Sequence, residues 1–245
     1  MYANENRDMY PHMKIWTCPG AHDLAEPWQQ IFDIDATFPE YLSDLDTLIC
    51  PSWSGGPTAL AAWDEGQTTN DEWRDIVGDM ANTGRVEPCS VIGEPHIYLG
   101  WAIHDGMLQE EVDFQRLEAN ALYLKDDMIR QPWRVLEDWP LHEGAIGGRG
   151  TVYRLRDGIE RFFITDINNA ATSAQAKSEI PVMWDGIETK ATHFNHAPGG
   201  ANVLYMDGHV DFLRYDGPYG NKFPVNRGAL IFGDVLHGHG ADGHD

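Results

Sequence analysis

Two alternating apolar runs, ending at Met206 and restarting after His209, flank Asp207-Gly208. A period of two puts successive side chains on opposite faces of a strand, and Asp-Gly between such runs is a strong hairpin signal. Read as a two-residue type I′ turn, the pattern pairs Met206 with His209, Tyr205 with Val210, Leu204 with Asp211 and Val203 with Phe212. Val203, Tyr205, Val210 and Phe212 then share the buried face, while Leu204, Met206, His209 and Asp211 line a half-wet one. Ile180–Trp184 reads as a preceding strand, so the last third of the chain is expected to be an antiparallel meander.

Upstream the period changes. Phe114, Leu117, Ala121, Leu124 and Met128 recur at spacings of 3, 4, 3 and 4, which predicts an amphipathic helix over 110–130 that stops before Pro132. A second helix is predicted over 71–81, capped by Asn70 and ended by Gly84. Proline opens shorter helical turns at Pro27–Phe32 and Pro39–Leu45. Strands are expected at Ile15–Cys18, Thr47–Cys50, His96–Trp101, Thr151–Leu155 and Arg161–Thr165, with loop-like stretches at Pro51–Asn70 and Gly144–Gly150. Helices early and a meander late define an α+β class, with helices packed on a C-terminal antiparallel sheet.

The length of 245 residues allows a single domain over 1–245 with a full core. The formal net charge of −22 repels phosphate backbones and anionic membranes and attracts divalent cations, so nucleic acid is set aside as a partner. No apolar run approaches the length needed to cross a bilayer. Cys18, Cys50 and Cys89 lack zinc-motif spacing. Two readings stand for them: one bridge with a thiol left over, Cys50–Cys89 being favoured, or three buried free thiols.

Candidate chemistry gathers near the meander. Asp185, His193, His196, Asp207 and His209 are the ligand types of zinc or another first-row metal, and two or three of them could converge at one sheet end. The competing reading is structural, with His196 bonded to a turn carbonyl and Asp207 accepting N–H groups within its own turn. The tail over 236–245 holds His237, His239, His244, Asp242 and Asp245 among glycines, a weak chelator without preformed geometry. Neither a nucleophile elbow nor a phosphate-binding glycine loop is present. Trp53, Trp63, Trp133 and Trp139 could stack on sugars or serve as core anchors.

Several segments also resemble a known family. Gly199–Val210 (GGANVLYMDGHV), Arg161–Asn169, Ile180–Asp185, Leu48–Ser52 and the opening Tyr2–Arg7 look like the prepilin-type, processing-associated family of pseudopilin-like proteins. The family's signature is a histidine, nine residues and then Asp-Gly; here ten residues separate His196 from Asp207. The resemblance implies a pilin-like globular domain with a large inserted lobe over about 51–150, whose N-terminal anchor helix would precede Met1. It further implies a non-enzymatic subunit of a type II secretion-like pseudopilus or envelope filament. Such a subunit would be extracytoplasmic, reach the membrane only through the missing anchor, and self-assemble with other pilin-like subunits. Major pseudopilins hold calcium near the C-terminal loops, and Asp211, Asp216 and Asn221 offer oxygens there. Two other functions remain open: a secreted surface or glycan-binding module, and a metal-dependent hydrolase.

Overall fold

The computed structural model describes residues 1–15, 18–19, 29–53, 55–65, 80–93, 95–164, 170–187, 195–196, 199–217 and 222–236. Nearly all of the helix predicted over 71–81, the residues His193 and Asn221, and the histidine tail lie outside them.

The chain is a mixed α+β fold. Two short strands, β1 (Met13–Lys14) and β2 (Gln29–Phe32), pair near the start, and β3 (His96–Tyr98) follows. A second small pair joins β4 (Trp139–Pro140) to β5 (Thr151–Val152). The main sheet is completed by β6 (Pro181–Asp185), β7 (Gly200–Tyr205) and β8 (Val210–Arg214), in the order β3-β6-β7-β8 with every neighbour antiparallel. Among the described residues no helix is long and apolar enough to cross a membrane.

The helical periodicity translates directly into packing. A helix spans Glu111–Arg130, and Phe114, Leu117, Ala121, Leu124 and Met128 are all buried along it. Its start is a reciprocal cap: Glu110 and Asp113 each accept the other's backbone N–H, which satisfies two donors that the first turn would otherwise leave unpaired. This helix packs along the C-terminal helix Arg227–Leu236, and Arg227 reaches both Glu111 and Glu118. From there a run of edge-on rings leads to the sheet: Trp139 meets Phe232, Phe232 meets Phe223, and Phe223 meets Trp184 of β6. Ile97, Trp184, Ala201, Val203 and Tyr205 join this main core.

The opposite sheet face meets a smaller core built on Ile31, Ile34, Leu45, Leu48, Ala62 and Trp63. Met183 alternates with Trp184 along β6 and therefore points toward this second core, where Phe32 also packs edge-on against Tyr98. Residues 45–48, which the pattern assigned in part to a strand, form a 3-10 turn instead. Asp44 accepts the Asp46 N–H and captures the backbone locally before it can extend. Ile159–Phe162 is likewise a 3-10 turn rather than the start of a strand, entered through Gly158 at φ 81°.

The hairpin forms in the expected place but one residue out of register. Leu204 pairs with Val210, Val203 with Asp211 and Asn202 with Phe212. Only Gly208 takes a positive φ, 90°, and Asp207 does not. The Gly208 N–H donates to Tyr205 O at 2.9 Å and the Tyr205 N–H to His209 O at 3.0 Å. This is a three-residue loop, a type I turn completed by a left-handed glycine, rather than a type I′ turn. The Asp207 carboxylate accepts the His209 N–H at 3.1 Å and helps hold this loop. One residue of slip inverts a strand's faces, so Val210 and Phe212 are 60% and 52% exposed instead of buried.

The cysteine pairing also differs from the favoured expectation. The disulfide is Cys18–Cys89, and Cys50 is a buried free thiol. Close by, the Lys14 ammonium is buried and donates to the carbonyls of Cys89 and Val91. Together the bridge and the ammonium tie the segment before β3 to β1.

Two outcomes follow. Peptide mapping without reduction is expected to recover Cys18–Cys89, and a Cys18→Ser, Cys89→Ser variant should lose about 4 kcal/mol in chemical denaturation, the chain-entropy value for a loop of this length. Burial pulls the Lys14 pKa down to about 7, against the opposing pull of Asp35 and Asp33. The unfolded chain therefore binds the extra proton between that value and the ordinary lysine value, and stability should rise with pH from about 7 to about 10. Lys14→Met should flatten that rise in melts compared at pH 7 and pH 9.5; an unchanged slope would contradict it.

Candidate metal centre

Asp185 ends β6 on the face opposite Trp184 and stands across the ladder from His96 of β3. It is a 3% exposed carboxylate with every direction engaged. Its Oδ1 takes the His96 Nδ1 at 3.1 Å. Its Oδ2 accepts the Asn202 backbone N–H at 2.7 Å and the Asn202 side-chain amide at 2.8 Å, and meets His196 Nε2 at 3.0 Å. Burial would raise this carboxyl's pKa, but the hydrogen bonds from His96 and Asn202 outweigh it and hold the group below the usual carboxylate range. Asp185 is thus an anion at neutral pH.

His196 is set in place by its neighbours. The buried Asn195 amide donates to Pro95 O, and the Gly199 N–H donates to His196 O at 2.9 Å. Its ring stands edge-on to Phe212, with centroids 6.2 Å apart. Cys50 arrives from the second core, two residues after the 3-10 turn, and its Sγ lies 3.6 Å from His196 Nε2. Burial pushes the Cys50 thiol up, the Asp185 charge adds to that, and N–H groups of Ser52 and Trp53 only partly offset it. The isolated thiol therefore stays protonated, and a cation beside it would favour the thiolate.

Cys50, Asp185 and His196 each offer one ligand atom, all within 4.8 Å of one another. With zinc bonds of about 2.3 Å to sulfur and about 2.0 Å to nitrogen or oxygen, neighbouring ligand atoms of a tetrahedral ion fall roughly 3.3–3.6 Å apart. Sγ to Nε2, at 3.6 Å, matches that spacing, while Nε2 to Oδ2, at 3.0 Å, is the shorter distance of a hydrogen bond that an ion would replace by a small outward shift of the ring. The same geometry argues against a nucleophilic triad: a relay places the nucleophile and the carboxylate on different ring nitrogens, whereas here both meet Nε2.

Of the residues expected at a metal site, Asp185 and His196 come together. Asp207 and His209 do not. They pair with each other at the hairpin tip, Nδ1 to Oδ1 at 2.5 Å, beyond the end of β7, which itself runs about 10 Å past Asn202 at the usual strand rise. Their attraction is local, made within the turn itself. His193 lies outside the described residues. Cys50, His96 and Asn202 were not anticipated. The segments Leu48–Ser52, Ile180–Asp185 and Gly199–Val210, which carry the family resemblance, contribute Cys50, Asp185 and Asn202. Of the tryptophans considered for sugar stacking, Trp63 and Trp139 are core residues, 0% and 3% exposed.

Comparison with protein-family models, curated proteins and solved structures finds no match. With no pilin-type relative among those comparisons and a Cys/Asp/His cluster at the sheet, the expectation of a non-enzymatic pseudopilus subunit is corrected. The expectation of a chain without catalytic capacity is corrected on the cluster itself: a buried thiol, a buried carboxylate and a partly exposed imidazole converge closely enough to be compatible with metal coordination.

Asp185→Ala removes the shared acceptor of His96, Asn202 and His196. Those three partners are partly exposed and can turn to water, so the expected loss is about 2–3 kcal/mol in urea denaturation. A loss below about 0.5 kcal/mol would show that the carboxylate does not hold the sheet end together.

Proposed function

We propose that Cys50, Asp185 and His196 hold a zinc-type divalent cation and that the chain is a metal-dependent hydrolase. The observation that carries this reading is the convergence of the three ligand atoms within 4.8 Å. A thiolate, an imidazole and a carboxylate form a donor set of intermediate softness, which fits zinc better than calcium or magnesium. Three protein ligands leave a fourth tetrahedral position for water, the pattern of catalytic rather than structural zinc. When bound, zinc lowers the pKa of that water and polarises a carbonyl.

The surrounding residues supply the rest. His96 holds the Asp185 oxygen that faces away from the ligand cluster, and Asn202 holds the other from its backbone and side chain. Both fix the carboxylate's orientation, as outer partners of metal ligands do. The His196 side chain, 26% exposed, is where solvent reaches the cluster.

Metal analysis after dialysis against zinc decides the first half. One zinc per chain is expected, falling well below half in Cys50→Ala and in His196→Ala. Cobalt substitution should add a thiolate charge-transfer band that Cys50→Ala abolishes. Equal zinc in parent and variants would reject the site, and full occupancy without zinc-dependent ester or amide hydrolysis would reject the enzyme.

A further inference from the structure

We infer that the metal site takes acyl substrates, esters or amides, that carry an apolar group beside the reacting carbonyl, and that Phe212 with Val210 and Leu204 forms the subsite for that group. This rests on the metal-site reading above and adds the substrate class to it.

The geometry starts from the slipped hairpin register. Asn202 stands opposite Phe212, and Leu204 opposite Val210, so these two cross-strand pairs lie side by side on the face that carries Asp185 and His196. The Phe212 ring leans toward the cluster, edge-on to the His196 ring. It also lies across Gly200, where an added Cβ would meet its Cζ at 2.4 Å. The same added Cβ would meet the Leu213 carbonyl at 2.7 Å, so glycine at this position leaves room for the ring over the start of β7. Phe212 and Val210 nevertheless remain 52% and 60% exposed, and Leu204 is half-buried beside them. The apolar strip thus begins at a proposed metal ligand and runs outward along the sheet face.

Continuity with the cluster identifies the occupant as the apolar flank of whatever reaches the metal. A group seated on Phe212 and Val210 leaves water, which favours binding in proportion to the area covered. The formal charge of −22 opposes the approach of phosphate esters, whereas an ester or amide brings an uncharged carbonyl of the kind a zinc ion would polarise.

Two metal-binding probes separate the contributions: acetohydroxamate, which has only the chelating head, and octanohydroxamate, which adds an apolar tail. Calorimetry on the zinc-loaded chain should show the tailed probe binding at least about tenfold more tightly, as burial of several methylenes predicts. In Val210→Ser that advantage should shrink severalfold while zinc content and acetohydroxamate affinity stay as in the parent; in Phe212→Ser, whose ring also packs on His196, the ratio of the two affinities on the zinc-loaded chain should fall likewise. Both positions are exposed, so these variants should fold, which near-ultraviolet circular dichroism checks. Equal affinity for the two probes, or an advantage untouched by both substitutions, overturns the subsite and leaves the metal site standing. Failure of both probes on a zinc-loaded chain overturns the open coordination position itself, and the subsite with it.

Discussion

The buried carboxylate of Asp185 is the constraint on which the arrangement of the sheet's far end depends. An anion so enclosed is tolerated only when its lone pairs are occupied, and here β3, β7 and the 195–196 segment all supply donors. Each partner comes from a different stretch of chain. The carboxylate therefore specifies how three segments meet, which apolar packing, being non-directional, does not do. Removing it would leave the apolar layers of both cores in place and loosen the relation between them.

Those cores divide the labour. The main one, with the helix over 111–130 and the C-terminal helix, gives the sheet a rigid back through edge-on aromatic contacts. The smaller one closes the other face and delivers Cys50 to it. A residue carried on one layer thus meets residues carried on the sheet, and the Cys50, Asp185 and His196 cluster exists only where the layers join. The Cys18–Cys89 bridge and the buried Lys14 steady the strand that brings His96 to the same seam.

How much of this was legible depended on the range over which each signal acts. The stripe from Phe114 to Met128 needed nothing beyond its own turn spacing, and all five residues are buried as the pattern requires. Strand β6 was equally plain. The hairpin's place was visible from Asp207-Gly208, but its register depended on one backbone angle at Asp207, and Asp is compatible with either turn. Hence Val210 and Phe212 were assigned to the wrong face. At the site, Asp185 and His196 were readable because they lie close in sequence. Cys50 and His96 come from segments far upstream, and no local pattern announces a partner at that distance. The same applies to the disulfide, since loop length alone does not choose among three cysteines.

That leftover thiol has a bearing on how the chain matures. Three cysteines permit three single bridges, and two of those would consume Cys50. An oxidant acting on the unfolded polypeptide meets all three sulfurs alike, whereas in the folded chain Cys50 is buried and withdrawn from exchange. Oxidation after the chain has folded therefore favours the native cross-link over the two that would consume Cys50.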